Sequence, residues 1–152
     1  MSQPLLSPNV PLSELQASVY EWAAACFGLQ VVHNKPERNF RFLEEALELV
    51  QSLGCSKEDA LRLVDYVYER PAGDPPQEVG GVTTTLSALC AANDLDLARC
   101  ASDELNLIWQ KIDTIRAKQK AKTIRGYTGP LPGAADGVQP FEEPDTTPGD
   151  FK

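Results

Sequence analysis

The pattern of apolar residues predicts a helix near the start of the chain. From Leu12 to Phe27 apolar side chains stand three or four positions apart, and Gly28 follows them. This spacing places the apolar side chains on one side of an amphipathic helix, and a glycine is a common stop signal. We interpret Trp22 and Phe27 as core anchors of this helix. A short connection through His33 follows.

A second helix is predicted after that connection, from Asn34 to Leu53. Asn34 can cap its N-terminus and Glu37 can reach back in a capping box, because such side chains satisfy the free N–H groups of a first turn. Gly54 is the predicted stop. The apolar stripe of this helix consists of Phe40, Leu43, Leu47 and Val50.

A third helix is predicted from Ser56, another capping residue, to the residues before Pro71. The turn that follows contains Asp74, which can cap a fourth helix with Pro75 or Pro76 in its first turn. The predicted buried side of the third helix consists of Ala60, Leu61, Val64, Val67 and Tyr68.

The fourth segment, residues 77–92, admits two interpretations. The pair Gly80–Gly81 lowers helix propensity by about 1 kcal/mol for each glycine relative to alanine, and a strand over residues 82–86 competes. A helical apolar stripe nonetheless begins at Val79, and no partner strand exists elsewhere. We therefore predict a helix, in which the paired glycines indicate close approach of another backbone or of a ligand.

Asp94 is predicted to cap a last, long helix whose apolar period extends to Ile115. After it, Gly, Pro, Asp and Glu dominate and the periodicity ends, which is typical of a disordered tail. The predicted fold is all-α, a bundle of four or five helices. Its parts are an irregular lead-in at residues 1–11, a helical domain at 12–125 and a flexible acidic tail at 126–152.

Composition narrows the class of protein. The chain has 152 residues, a net charge of −8 and a pI near 4.6, so its length suits one domain and its acidity argues against binding a nucleic-acid polymer. No segment is apolar for the ~18 residues that a membrane span needs, and residues 1–11 lack the pattern of a signal peptide. The four cysteines form no CxxC pair. We therefore expect reduced thiols and a cytoplasmic location.

Three carboxylates occur within five residues of the second helix, those of Glu44, Glu45 and Glu48. Residues three or four apart are neighbours on a helix surface, so this group repels itself unless water screens it or a cation lies between the carboxylates. Glu78, on the fourth helix, can face Glu45 and Glu48, and carboxylates on facing helices are a common way to build a divalent metal site. From spacing alone, a magnesium site and a solvated acidic surface both stay open.

The order of these motifs resembles that of the MazG-like nucleotide pyrophosphohydrolases, which belong to the all-α NTP pyrophosphatase superfamily. The resemblance covers about residues 12–122 and rests on LEEALE at 43–48, EVGGV at 78–82 and NDLDL at 93–97. The family pattern is ExxE on one helix and ExxD on a later one. Glu45 and Glu48 match the first pair, and Glu78 matches the glutamate of the second.

The resemblance implies a bundle of the all-α NTP pyrophosphatase type and hydrolysis of a nucleoside triphosphate between its α and β phosphates. The products would be a nucleoside monophosphate and pyrophosphate. It implies that Glu45, Glu48 and Glu78 hold Mg²⁺, with Mn²⁺ as an alternative, and that the chain forms a homodimer or homotetramer. Glu44 is the candidate catalytic residue that orients or deprotonates the attacking water, and a solvated surface acid is the competing interpretation.

Several polar residues are candidates for contact with the substrate. Each has a structural alternative: cations near the end of the last helix favour its C-terminus electrostatically, and Arg41 can pair with Glu44 or Glu45 at helical spacing. Trp22, Phe40 and Trp109 are aromatic candidates for the base, although packing is the commoner role. The substrate-binding candidates are Arg38, Asn39, Lys111, Arg116 and Lys118.

Gly81 departs from the family pattern, which has aspartate at this position. Glycine offers no side chain to a metal, so three alternatives follow. The site operates with the three glutamates and a water, or another acid among Glu44, Asp94 and Asp96 substitutes. In the third, the site is degenerate and the protein is a non-catalytic helical module that binds a nucleotide or a protein partner. A purely structural helical protein is a further class.

Overall fold

The structure is a computed structural model that describes Ser7 and residues 11–124, with side chains through Lys118. The described chain contains helices and connecting turns, so the prediction of an all-α fold is confirmed. The predicted tail at 126–152 lies outside the described residues. Within them, no helix has the length and apolar composition required to cross a membrane. The helices are α1 (Leu12–Phe27), α2 (Leu29–Val32), α3 (Lys35–Ser52), α4 (Lys57–Tyr68), α5 (Pro75–Ala92), α6 (Leu97–Gln110) and α7 (Ile112–Ile124).

Glycine ends α1 as predicted, and the connection after it is itself helical. Gly28 has φ +83°, a left-handed conformation that glycine adopts without a steric cost. Its N–H donates to the carbonyl of Ala24 at 3.0 Å, and the four-residue helix α2 follows. His33 ends α2, and its Nε2 lies 3.4 Å from the Tyr20 hydroxyl on α1.

The predicted caps of α3 and α4 are present. The Asn34 side chain accepts a hydrogen bond from the N–H of Glu37 at 3.1 Å, and Ser56 accepts from the N–H of Asp59 at 3.1 Å. The capping box on α3 is only half formed, because the Glu37 carboxylate turns toward two arginines instead. Residue 74 precedes α5, as predicted, but the Asp74 side chain makes no capping hydrogen bond.

The C-terminal helical region differs from the single long helix predicted for it. Asp94 has φ +54° and lies between the helices, and Asp96 is the cap, accepting from the N–H of Arg99 at 3.0 Å. The prediction that Asp94 caps this helix was wrong because two capping residues stand two positions apart. Lys111 then leaves helical geometry, with φ −109° and ψ +14°, and separates α6 from α7.

The small core forms around α1. This helix packs against α2, α6 and α7, and α6 packs against α7. The Trp22 and Phe27 rings meet edge to face at 5.4 Å between centroids, which supports their interpretation as packing residues. Leu105 and Ser102 on α6 are almost completely buried, at 2% and 1% exposure. The buried apolar residues of the described chain are Ala23, Cys26, Cys90 and Leu105.

The prediction of a buried side on α4 was wrong. Leu61, Val64 and Val67 are about half exposed, and Tyr68 is 83% exposed. Neither α4 nor α5 packs extensively against another helix of the described chain. The apolar spacing of α4 therefore has the period of a buried helix, although its apolar side chains stay exposed among the described residues.

Candidate functional site

A buried ionic network occupies the first turns of α3. Glu37 is only 8% exposed, although glutamate is seldom buried without a partner. Its Oε1 accepts a hydrogen bond from Arg38 at 3.2 Å and forms an ion pair with the Nε of Arg41, also at 3.2 Å. These two ionic contacts compensate the loss of hydration and fix the two guanidinium groups on α3.

The same network holds the candidate catalytic residue. Arg41 forms an ion pair with Glu44, three positions further along the helix. The Glu44 side chain is 13% exposed, so it is not the fully solvated surface acid of the competing interpretation. Of the two partners considered for Arg41, Glu44 is the one with which it pairs. Glu37, Arg41 and Glu44 thus form a continuous chain of contacts along one side of α3.

Glu45 lies in a repulsive electrostatic environment. Its pKa is raised above the ordinary value of 4.5, first by partial desolvation and then by the neighbouring carboxylates of Glu48, Glu44 and Glu104, while Arg41 opposes the shift. Glu45 remains exposed, so water screens part of this repulsion. We call the four residues Glu44, Glu45, Glu48 and Glu104 the acidic cluster.

Glu104 was not among the residues predicted for the site. This residue lies on α6, and the structure brings it close enough to α3 to raise the pKa of Glu45. The sequence contained a signal that Glu104 lies next to the core, because this residue immediately precedes Leu105. Leu105 is the most completely buried apolar residue of the described chain. Its neighbour Asp103 instead points toward Arg99, at 3.6 Å. The motif order could not select Glu104, since the family pattern contains no acid at this place.

Glu78 does not join the acidic cluster within one chain. It lies in the first turns of α5, where it is exposed, and its carboxylate folds over Gly73, whose missing side chain leaves the space. A Cβ placed on Gly81 would contact nothing within 4 Å, so neither a backbone nor a side chain approaches it. Among the described residues, no three His, Cys, Asp or Glu side chains converge closely enough to hold a metal ion.

The predicted substrate-binding residues are placed in three different settings. Arg38 lies with its guanidinium carbon 5.8 Å from the centre of the Phe27 ring, while Asn39, Lys111 and Lys118 are exposed. Arg116 contacts the end of α1, where its Nε donates to the carbonyl of Cys26 at 3.0 Å and its terminal nitrogen to the carbonyl of Ala25. Arg116 therefore caps a helix in this structure.

Two buried donors near Phe27 have no hydrogen-bond acceptor among the described residues. They are the indole Nε1 of Trp22 and the Nε of Arg38, and both side chains contact the Phe27 ring. Buried donors are nearly always paired in folded proteins. Arg38 is therefore the best placed of the basic candidates to receive an acceptor from a ligand.

Comparison with known protein families, with curated proteins and with solved structures gave no match for this chain. The resemblance to the MazG-like family therefore rests on the order and spacing of the motifs.

Proposed function

We propose that this protein is a magnesium-dependent nucleoside triphosphate pyrophosphohydrolase that cleaves between the α and β phosphates. The observation that carries the proposal is the acidic cluster, in which three other carboxylates lie close enough to Glu45 to raise its pKa. Such mutual repulsion is costly for a fold, and a bound divalent cation removes it. The motif resemblance supplies the reaction, the release of pyrophosphate and a nucleoside monophosphate.

Glu45 and Glu48 fit a hydrated magnesium ion better than a fully caged one. Magnesium in phosphate-handling sites is usually bound by one or two carboxylates, several waters and substrate phosphates. The pair on α3 matches that requirement, whereas Glu78 stands apart in the single chain. When bound, the ion would neutralise the phosphate charge and polarise the bond that breaks. Mn²⁺ suits the same oxygen ligands.

The chain's own residues divide the remaining tasks. Glu44 orients or deprotonates the attacking water, and its ion pair with Arg41 fixes where its carboxylate lies. Arg38 and Asn39, before the acidic cluster on α3, contact the phosphates through charge-assisted and neutral hydrogen bonds. Lys111 and Lys118 are weaker candidates for the same task. A cytoplasmic homo-oligomer, as the family resemblance implies, is part of this proposal.

The proposal is tested by incubating the protein with each common NTP and dNTP plus Mg²⁺ and measuring pyrophosphate release. Glu48→Gln keeps the helix and removes one carboxylate of the cluster, so we expect turnover to fall by at least ~100-fold. Glu21→Gln on α1 makes the same chemical change at an exposed position outside the cluster, and it should retain the wild-type rate. Absence of turnover with every nucleotide would refute the enzymatic proposal.

The position of Glu78 favours one second candidate, a non-catalytic module that binds a nucleotide. Only Glu45 and Glu48 of the three predicted ligands lie together on α3, and Gly81 supplies no carboxylate. In this case the nucleotide binds without pyrophosphate release, which calorimetry and the turnover assay distinguish. Binding of equal strength with and without Mg²⁺ would favour the module further.

A further inference from the structure

Glu37 has a buried carboxylate that the start of α3 does not require. Among the described residues, it is the only acidic or basic residue that is buried. Its N–H donates to the Asn34 side chain at 3.1 Å, so the cap of α3 uses the backbone of Glu37 and not its carboxylate. Moving a carboxylate out of water is costly. A buried charge at this position therefore indicates a task beyond starting the helix.

Arg41 bridges Glu37 and Glu44 with different nitrogens of one guanidinium group. Its Nε lies 3.2 Å from Oε1 of Glu37, and one of its terminal nitrogens pairs with Oε2 of Glu44. The guanidinium group is planar and rigid, so a contact that fixes its Nε also fixes the direction of its terminal nitrogens. The Arg41 and Glu44 side chains are only 20% and 13% exposed, so water screens these ionic contacts weakly.

This bridge allows Glu37 to determine where the Glu44 carboxylate lies. Positions 37 and 44 are seven residues apart, which is about 10 Å along the helix axis. Without the Glu37 carboxylate, the long Arg41 side chain gains rotamer freedom, and its partner Glu44 is no longer held in one place. A general base acts only within hydrogen-bond reach of the water that it activates, and a misplacement of ~1 Å costs about 100-fold in rate.

Arg38 is the second partner of Glu37, and it has another contact of its own. Its terminal nitrogen donates to Oε1 of Glu37 at 3.2 Å, and its guanidinium carbon lies 5.8 Å from the centre of the Phe27 ring. This cation–π contact does not require Glu37. Loss of the Glu37 carboxylate should therefore disturb the orientation of Glu44 more than substrate binding by Arg38. In kinetics, the first effect lowers kcat and the second raises KM.

We propose that Glu37 is a positioning residue of the pyrophosphohydrolase site, on whose proposed function this inference rests, and that it orients the Glu44 carboxylate through Arg41. Glu37 itself contacts neither the substrate nor the attacking water. In the competing structural role, Glu37 only compensates the charges of Arg38 and Arg41. That role changes how much of the protein is folded, whereas positioning changes kcat of the folded molecules.

The test measures kcat and KM for pyrophosphate release from the best nucleotide with Mg²⁺, normalised to the folded fraction seen by circular dichroism. Glu37→Gln should lower kcat by ~10–100-fold and change KM by less than about 3-fold. Arg41→Lys keeps the charge but lacks the planar fork, so it should lower kcat to a similar extent. Glu58→Gln makes the same chemical change in the first turn of α4, where Glu58 is exposed, and should retain the wild-type kcat.

The double variant Glu37→Gln/Arg41→Lys tests whether Glu37 acts through Arg41. If it does, kcat of the double variant should lie within about 3-fold of the value for Arg41→Lys alone, because residues that act in one chain of contacts are not additive. If Glu37→Gln fails to fold, Glu37→Asp takes its place throughout, since it keeps the charge but shortens the side chain that reaches Arg41.

Three results would overturn the positioning role while leaving the proposed function intact. They are an unchanged kcat in the Glu37 variant, an equal loss of kcat in Glu58→Gln, and losses that multiply in the double variant. A wild-type chain that releases no pyrophosphate from any nucleotide would instead refute the proposed function and the positioning role together.

Discussion

Glu45 shows at the scale of a single residue how the acidic cluster acts on stability. A carboxyl whose pKa is raised in the folded protein binds its proton more tightly there than in the unfolded chain. The contribution of Glu45 to the stability of the fold is most favourable below pH 4.5, the ordinary pKa of its carboxyl group. This contribution is lost as the pH rises through the raised pKa. At neutral pH the ionised Glu45 therefore destabilises the fold.

We predict that Glu45→Gln raises the thermal midpoint at neutral pH without added metal, because the neutral amide removes the repulsion. With Mg²⁺ present the wild type should have the higher thermal midpoint, because the bound ion stabilises the wild type and has one ligand fewer in the variant. Thermal unfolding followed by circular dichroism, with and without MgCl₂, measures both effects. A lower midpoint for Glu45→Gln in metal-free buffer would contradict the assigned environment.

Cys26 gives a second prediction at this scale. Burial raises the pKa of its thiol above 9.0, and the nearby Arg116 guanidinium only partly opposes the shift. The thiolate is the reactive form, so Cys26 should be alkylated slowly and should need a higher pH than the exposed Cys100. Mass mapping after iodoacetamide treatment over a pH series measures the two rates. Equal rates in the folded protein would contradict the burial of Cys26.

At the scale of the elements, Arg116 joins the two ends of the described chain. The last carbonyl groups of a helix lack partners within it, and α1 receives two donors from a side chain on α7. A cation at a helix C-terminus also interacts favourably with the helix dipole. The basic cluster predicted to bind phosphate thus includes one residue with a structural contact of its own.

Replacing Arg116 tests this helix cap. Arg116→Ala should lower the free energy of unfolding by about 1–2 kcal/mol, at the lower end for charged hydrogen bonds because the side chain is half exposed. Lys118→Ala removes an exposed cation two positions later and should change stability by less than ~0.5 kcal/mol. Urea unfolding of both variants measures the difference. Equal losses would assign the effect to net charge.

Residue types near the helix ends predicted most of the helices well. Features that depend on contacts between residues far apart in sequence could not be predicted in this way. Asn34, Ser56 and Gly28 act within a few residues of themselves, so their residue types sufficed to place helix ends. Asp94 and Asp96 are both good capping residues, so residue type alone could not show that Asp96 caps α6. The conformation of the backbone between them determines which of the two is the cap. Glu104 on α6 influences Glu45 on α3, and helical spacing alone does not show that these two residues, far apart in sequence, lie near each other.

The whole molecule differs most from the prediction in where its apolar residues lie. Helical spacing indicates which side of a helix is made for burial, but it does not say whether the covering surface belongs to the same chain. On α1 and α6 that surface is intramolecular, as the burial of Leu105 shows. On α4 the spacing is equally regular, and Val64 remains exposed.

The proposed homo-oligomer predicts that stability depends on protein concentration. When a dimer unfolds to single chains, mass action raises the thermal midpoint with protein concentration. We expect the wild type to show this rise and Val64→Glu, which introduces a carboxylate among the exposed apolar side chains of α4, to lose it. Scanning calorimetry at several concentrations measures the dependence. A constant midpoint for the wild type would contradict assembly coupled to folding.

The contact of Arg116 with the end of α1 also sets an order of events during synthesis. Its two acceptors precede it by 90 and 91 residues, and at 5–20 residues per second the ribosome needs on the order of 5–20 s to make that length. During this interval the nascent α1 lacks its cap and the surface of α7 that covers it. The side of α1 that packs against α6 and α7 is therefore open to chaperones until both of these helices have left the ribosome.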